Sequence, residues 1–178
     1  VQDHLGAVQV PANMRCLYKP FYTMSAASAL NNENIAFRLS GRNNSSITFS
    51  APKARVLIVD DDDLNLIITT KLLQETKMSI DTAGSAEECL RKTKKRYYNL
   101  VLMDYMMPNM DGGELLRAVH KQENGMCKDT PVVMLSANVY GDKYKEYMQM
   151  GFQGILEKPI DAAKLEEEVI KYIPDELI

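Results

Sequence analysis

The last two thirds of the chain alternate short apolar segments with helical patterns, five times over. The apolar segments, each of strand length, are Arg55–Val59, Met78–Thr82, Leu100–Met103, Pro131–Leu135 and Gly154–Glu157. The helical patterns that follow them cover Leu64–Thr76, Ser85 to about Arg96, Glu114–Gln122, about Asp142 to Met150, and Asp161–Ile173. Strands that alternate with helices are joined by crossover connections, so the pattern predicts an α/β domain with a doubly wound parallel sheet covered on both faces.

Polar side chains stand where four of these strands end. Asp60 and Asp61 follow the first strand, Asp104 the third, Ser136 the fourth and Lys158 the fifth. The carboxyl ends of parallel strands meet at one edge of the sheet, where ligands bind, so we expect these side chains to converge there. Clustered carboxylates raise one another's pKa, and a hard divalent cation such as Mg²⁺ relieves the repulsion because it prefers oxygen ligands. One aspartate could then act as a nucleophile, with a hydroxyl and an ammonium holding phosphoryl oxygens.

These residues lie in four motifs, which are "VLIVDD" (56–61), "LVLMDYMMPNMDG" (100–112), "PVVMLSA" (131–137) and "EKP" (157–159). In this order and spacing the motifs resemble the receiver domain of two-component response regulators, over about Arg55 to Ile173. The resemblance implies a flavodoxin-like (βα)5 fold whose parallel strands lie in the order 2-1-3-4-5.

The resemblance also implies a role for each residue at the strand ends. Asp104 is expected to accept a phosphoryl group from a phosphohistidine. Asp61 and Asp104 are expected to bind Mg²⁺ directly, and Asp60 through a water molecule. Ser136 and Lys158 are expected to contact the bound phosphoryl group.

A receiver of this kind also implies certain partners and activities. The backbone carbonyl of Met106 is expected to be a further Mg²⁺ ligand. The phosphoryl donor is expected to be a histidine kinase core or a histidine phosphotransfer domain, and self-association is expected through the fourth helix, fifth strand and fifth helix. Any activity of the chain itself is limited to self-phosphorylation and self-dephosphorylation. We expect no nucleic-acid partner, because the net charge is −3 and the basic stretch Arg91–Arg96 suits a solvated helix end.

The two aspartates after the expected Mg²⁺ ligands have a simpler interpretation. Asp63 precedes a helical pattern and is expected to cap it, and both Asp62 and Asp63 complement the positive end of that helix. A calcium-binding loop that began at Asp60 would place Asn65 where glycine is required and Lys71 where glutamate is required. The sequence therefore does not predict a calcium loop.

The N-terminal part of the chain contains a possible internal repeat. The stretch "CLYKPFYTMSAASALN" (16–31) resembles "ILEKPIDAAKLEEEVI" (155–170), with Lys19-Pro20 aligned to Lys158-Pro159. An internal repeat indicates a second copy of the same structural unit. We therefore expect a second, truncated receiver-like domain before the complete one. The expected division is a truncated domain tail in 1–30, a linker rich in Asn and Ser in 31–53, and a receiver domain in 54–178.

Two receivers in tandem favour a hybrid sensor histidine kinase as the parent protein. The alternative is a stand-alone receiver that acts as a phosphorelay intermediate or as an interaction module without phosphorylation. The three cysteines are widely spaced and form no CxxC pair, which fits free thiols in a reducing cytosol. We therefore expect a cytoplasmic domain, whose parent could still be anchored in a membrane.

The fifth strand lacks a residue that receivers often use to transmit the signal. They often carry an aromatic residue three positions before the lysine, and Ile155 holds that position. Its branched side chain is stiff and short, so no ring can swing inward there. We expect phosphorylation to change the Ser136–Lys143 loop and the following helix, with a small change at the fifth strand. Tyr140 is the candidate substitute for the missing ring.

Overall fold

The computed structural model describes residues 49–137, 139 and 142–178. In these residues the strands are β1 (Arg55–Val59), β2 (Ser79–Ala83), β3 (Leu100–Asp104), β4 (Val132–Ser136) and β5 (Gly154–Glu157). The α-helices are α1 (Asp63–Leu73), α2 (Ala86–Lys95), α3 (Gly112–Lys121), α4 (Asp142–Met150) and α5 (Ala162–Ile170). Short 3₁₀ turns at Gln74–Thr76 and Asp175–Leu177 follow α1 and α5.

The sheet has the predicted topology. All four strand pairings are parallel, and the strands lie in the order β2-β1-β3-β4-β5. This confirms the α/β, flavodoxin-like (βα)5 fold with strand order 2-1-3-4-5. The order reverses between β1 and β3, where Val56 lies opposite Leu100. In open sheets of this kind, the carboxyl ends of the two strands at the reversal flank the ligand-binding crevice.

Alternation along the central strands creates two hydrophobic cores. In β1, Leu57 and Val59 pack into one cluster with residues of α2, α3 and α4. Val56 and Ile58 point to the opposite face and pack with residues of α1 and α5. Successive side chains of a strand point to opposite faces, so a strand covered on both sides must be apolar throughout. This requirement explains the uninterrupted apolar run that precedes Asp60.

Several elements end differently from the predictions, for identifiable reasons. The last helix was expected to reach Ile173, but α5 ends at Ile170 and continues as a tighter turn in which the Ile173 N–H bonds to the Ile170 carbonyl. Helix α3 begins two residues earlier than expected, at Gly112, because the Asp111 carboxylate caps it by accepting the Glu114 N–H at 2.8 Å. Such end effects change a helix boundary without changing the buried face.

The packed core extends back to Phe49. This side chain and Ala51 are buried among residues of the α1 and α5 face. The Ala51 N–H also donates to the Thr76 carbonyl at 2.8 Å, which fixes the segment beneath the end of α1. Part of the stretch expected to be a linker therefore packs as part of the folded domain.

Three expectations concern residues that the structure does not describe. The truncated domain tail in 1–30, the first part of the linker up to residue 48, and Tyr140 all lie outside the described residues. Among the described helices, none is both long enough and apolar enough to cross a membrane.

Candidate functional site

The polar residues at the strand ends do converge in the structure. Asp60 and Asp61 follow β1, and Asp104 is the last residue of β3, so these aspartates flank the point where the strand order reverses. Their carboxylates each offer an oxygen, and these oxygens lie within 4.8 Å of one another. Ser136 is buried at the end of β4, and its backbone carbonyl accepts the Lys158 N–H at 2.8 Å. The fold therefore brings all five residues to one edge.

Asp60 is the most enclosed member of the group. Its side chain is only 1% exposed, and both carboxylate oxygens accept hydrogen bonds. Oδ1 accepts the backbone N–H of Asp62 at 2.9 Å and the side-chain amide of Asn65 at 3.1 Å. Oδ2 accepts the ammonium of Lys158 at 2.7 Å. A buried carboxylate needs such partners, because an unpaired charge away from water is very costly.

Lys158 joins the two buried aspartates. Its ammonium lies 2.7 Å from Asp60 Oδ2 and 3.0 Å from Asp104 Oδ1. Burial alone would lower the pKa of Lys158, but the hydrogen bond to Asp60 and the charges of both carboxylates outweigh it, so the pKa is raised. The ammonium is therefore held in its charged form.

Asp104 is in a less favourable environment than its partners. Burial raises the pKa of its carboxyl group above the usual 3.8, the charge of Lys158 opposes that effect, and the nearby charge of Asp60 adds to it. The backbone N–H of Met106 also donates to the carboxylate and favours the ionised form. The net raised pKa indicates a carboxylate that the apo site solvates incompletely.

The donor set suits a hard divalent cation. Three ionised carboxylates and one ammonium leave this cluster with a formal charge of −2. The available ligand atoms are carboxylate oxygens, which favour Mg²⁺, Ca²⁺ or Mn²⁺ over metals that prefer nitrogen and sulfur. Asp61 is exposed, and no described residue donates a hydrogen bond to its carboxylate. The residues present therefore fit a magnesium-type ion.

The approach to the site is open beside Asp61. A cleft of about 170 Å³ lies there, between the start of α2 at Ser85 and the loop that contains Pro108 and Asn109. Met106 is 72% exposed at the same edge, and its backbone N–H donates to the Asp104 carboxylate. The cleft therefore gives access to Asp61 from solvent.

The helix after the acidic motif is capped by a different aspartate from the one expected. Asp62, and not Asp63, is the N-cap of α1, because its carboxylate accepts the Leu64 N–H at 2.8 Å. Asp63 is the first residue of the helix itself. The expectation for Asp63 was wrong by one position, although both acidic side chains still lie at the positive end of the helix dipole.

Two residues near the site were missed by sequence reasoning. Asn65 was considered only as a misplaced residue of a calcium loop, yet its amide contacts Asp60. Gly112 was considered only as the last residue of the motif "LVLMDYMMPNMDG", yet its N–H donates to the Tyr105 carbonyl at 2.9 Å. A Cβ atom at Gly112 would lie 2.9 Å from the Asp104 carbonyl oxygen, so the glycine allows α3 to begin directly against the end of β3. A short sequence motif gives no indication of such contacts between a helix and a strand end.

Comparison with known proteins relates the chain to signalling proteins. The family model of the response regulator receiver domain matches residues 56–170. The chain is 34% identical over 122 residues to the aerobic respiration control sensor protein ArcB of Escherichia coli (strain K12), covering 68% of this chain and 15% of ArcB. It is 29% identical over 122 residues to the transcription factor SKN7 of Saccharomyces cerevisiae, covering 68% of this chain and 19% of SKN7. It spans less than a fifth of each of these relatives.

A solved structure has the same fold. It is the receiver domain of the sensor histidine kinase PA1611 from Pseudomonas aeruginosa PAO1, with a magnesium ion coordinated in the active site cleft. The two chains are 26% identical with a TM-score of 0.59, over 67% of this chain and 96% of the other.

Proposed function

The chain belongs to the response regulator receiver domain family, and from this premise we propose that it accepts a phosphoryl group from a phosphohistidine onto Asp104 in a Mg²⁺-dependent phosphorelay. The observation that carries the proposal is the position of Lys158, whose ammonium bonds to Asp60 at 2.7 Å and to Asp104 at 3.0 Å within a cluster of three carboxylates. Three clustered carboxylates lower the stability of the fold unless a divalent cation offsets their charge. The cluster is therefore explained by function and not by stability.

The proposed reaction is a single phosphoryl transfer. A carboxylate oxygen of Asp104 forms a bond to phosphorus while the bond between phosphorus and the donor's imidazole nitrogen breaks. The imidazole leaves with the bonding electron pair, and Asp104 becomes an acyl phosphate. Lys158 and Ser136 hold phosphoryl oxygens, and a bound Mg²⁺ supplies charge neutralisation during the transfer.

The hydrogen bonds of Asp60 support the assignment of the Mg²⁺ ligands. Both of its oxygens already accept N–H groups, so we propose that Asp60 reaches the ion through a water molecule. Asp61 and Asp104 are then the direct carboxylate ligands, with the Met106 backbone carbonyl as a further one. Mg²⁺ commonly binds through one or two carboxylates and retains several waters.

Intact-mass measurement after incubation with Mg²⁺ and a small acyl-phosphate donor tests the proposal. The protein is expected to gain one phosphoryl group, and the gain should disappear in EDTA and in Asp104→Asn. Labelling that persists in Asp104→Asn would refute the assignment of the acceptor.

A pair of matched variants tests the metal assignment. Asp61→Ala and Asp63→Ala each remove one exposed carboxylate near the start of α1. Asp61→Ala should weaken Mg²⁺ binding and slow phosphorylation, whereas Asp63→Ala should change both by less than about twofold, because an exposed charge outside the ligand set is screened. Equal effects of the two substitutions would mean that only overall charge matters.

The parent protein is a further part of the proposal. We propose a hybrid histidine kinase, as the match to ArcB supports, with a kinase core or phosphotransfer domain as the donor and with the domain in the cytoplasm. The match to SKN7 keeps the alternative of a receiver outside a kinase, either as a relay intermediate or as an interaction module. A kinase core encoded in the same gene separates these possibilities.

Two proposals concern the surface of the domain. Self-association through α4, β5 and α5 is supported by the exposure of Tyr144 on α4, and sedimentation with and without beryllofluoride, a phosphoryl mimic, tests it. Residues 55–178 contain 16 Lys and Arg against 22 Asp and Glu, which supports protein partners and opposes nucleic acid. Tight, salt-sensitive binding to DNA would contradict this.

A further inference from the structure

Asn65 occupies an unusual place in the site because it binds a charged residue without being charged. It lies in the first turn of α1, half-buried, and its side-chain nitrogen donates to Asp60 Oδ1 at 3.1 Å. An ionised carboxylate only accepts hydrogen bonds, so the amide must present its NH₂ group to Asp60. The contact therefore has one defined orientation.

The contact constrains how the Asp60 carboxylate can rotate. Oδ1 is held on the side of α1 by the Asp62 N–H and the Asn65 amide together. With Oδ1 fixed, Oδ2 faces Lys158, whose ammonium it binds at 2.7 Å and which also reaches Asp104 at 3.0 Å. The orientation of Asp60 is thus coupled to the position of the ammonium beside the phospho-acceptor.

A neutral donor is suited to this position. A lysine or arginine at 65 would add a positive charge beside three clustered carboxylates and would compete with a divalent cation. An amide restrains Asp60 and leaves the formal charge of the cluster unchanged. Groups that orient metal-site residues in this way typically contribute 10- to 100-fold to metal affinity or activity.

We infer that Asn65 is a positioning residue that holds the Asp60 carboxylate in the orientation needed for Mg²⁺ binding, and that it affects phosphoryl transfer only through the bound Mg²⁺. This inference rests on the proposed function, since it assigns Asn65 to the same site. It names no contact between Asn65 and the phosphoryl group.

The test compares Asn65→Ala with Asn65→Leu and with Asn99→Ala as a matched control. Alanine removes the donor and has a higher helix propensity than asparagine, so the fold should be retained. Leucine keeps the approximate size of the side chain, cannot donate a hydrogen bond and adds no charge. Asn99 also makes one hydrogen bond with its side chain, accepting the Arg55 N–H at 2.9 Å, but at the opposite end of β1.

Mg²⁺ affinity is measured by titration calorimetry on the unphosphorylated protein. We expect Asn65→Ala to bind Mg²⁺ roughly tenfold more weakly, in line with other residues that orient metal ligands. Asn65→Leu should lose at least as much, and Asn99→Ala should bind like the parent even if it unfolds at a lower temperature. Parent-like affinity in Asn65→Ala, or an equal loss in Asn99→Ala, would overturn the inference.

Two further readouts separate positioning from a general defect. The Mg²⁺ concentration that gives half-maximal phosphorylation should rise in Asn65→Ala, while the rate at saturating Mg²⁺ stays close to the parent rate. In the metal-free protein, the Asn65 side-chain amide should be protected from hydrogen exchange, and Asp60→Ala should remove that protection. If the amide exchanges freely in the parent, the inference fails.

These outcomes also distinguish the inference from the proposed function. If the parent binds Mg²⁺ and Asn65→Ala weakens that binding, but no phosphoryl group is ever gained, the proposed function fails and the positioning role stands. If phosphorylation occurs and Asn65→Ala behaves like the parent, the proposed function stands and the positioning role fails.

Discussion

Gly112 is predicted to be a position where one added methyl group damages both the fold and the site. In the structure, a Cβ atom at residue 112 would lie 2.9 Å from the carbonyl oxygen of Asp104 and 2.9 Å from Cα of Tyr105. Both of these atoms belong to the backbone, so they cannot move away by a change of rotamer. Gly112→Ala must therefore push the start of α3 away from the end of β3, where Asp104 lies.

The size of the effect follows from two opposing contributions. Alanine is favoured over glycine within a helix by up to about 1 kcal/mol, and less at a first position such as this one. Overpacking that forces backbone shifts typically costs about 1–3 kcal/mol. We therefore expect Gly112→Ala to lower the free energy of unfolding by about 1–2 kcal/mol. At Gly84 nothing lies within 4 Å of an added Cβ atom, so Gly84→Ala is the matched control.

The control should have the opposite sign. Replacing glycine by alanine without strain stabilises a protein by about 0.4–1 kcal/mol, because the unfolded chain loses freedom. Denaturant unfolding gives both values, and intact mass after treatment with an acyl phosphate and Mg²⁺ gives the phosphorylation rate. Gly112→Ala should also slow phosphorylation, since Asp104 moves. The reasoning is refuted if Gly112→Ala is as stable as Gly84→Ala and is phosphorylated at the parent rate.

Three other predictions use different parts of the structure. Burial raises the pKa of Asp104 above 3.8, so the folded state binds the proton more tightly and the stability of the fold falls as pH rises through the interval above 3.8. In EDTA, Asp104→Asn should therefore be more stable than the parent at pH ~7 but not at pH ~3.5, where the parent carboxyl is largely protonated. Equal stability of variant and parent at both pH values would contradict this. Phe49→Ala should lower the free energy of unfolding by about 3 kcal/mol, measured in denaturant, because the ring is buried. Removal of residues 1–48 should leave cooperative unfolding intact. A decrease below about 1 kcal/mol for Phe49→Ala would show that the ring is not part of the core. Beryllofluoride should change amide exchange in the Ser136–Lys143 loop and α4 more than in β5. The reason is that the Tyr147 ring on α4 contacts Tyr105, the residue after Asp104, at a centroid distance of 4.8 Å. An equal change in amide exchange in β5 would count against this prediction.

Much of the fold was predictable because it depends on patterns within single segments. An apolar run such as Val56–Val59 must be covered on both faces, and its alternation with helical patterns leaves little choice but a parallel sheet. The helix ends were less predictable, since they depend on which neighbouring group satisfies the last backbone atoms. The Asp62 carboxylate accepts the Leu64 N–H at the start of α1. The sequence "DDDD" alone does not indicate which aspartate caps the helix.

The site was predictable to the extent that the topology places strand ends together. Asp60, Asp104 and Lys158 each follow or end a strand, and the order of strands is enough to bring them to one edge. The contacts of Asn65 and Gly112 depend on how α1 and α3 are oriented against that edge. Those orientations come from core packing across the whole domain, so no short motif encodes them.

The balance of charge explains why the cation and Lys158 have separate tasks. The cluster has a formal charge of −2 with three carboxylates and one ammonium. Transfer replaces the single negative charge on Asp104 with the roughly 1.5 to 2 negative charges of a phosphoryl group. One ammonium cannot offset these charges, which supports the proposal that a divalent cation takes part in the transfer. Lys158 is already bound to Asp104, and a phosphoryl group there must take over that contact while Asp60 still holds the ammonium. On the proposed mechanism, the restraint on Asp60 by Asn65 also acts after transfer, when Asp60 is the carboxylate that keeps Lys158 at the phosphate.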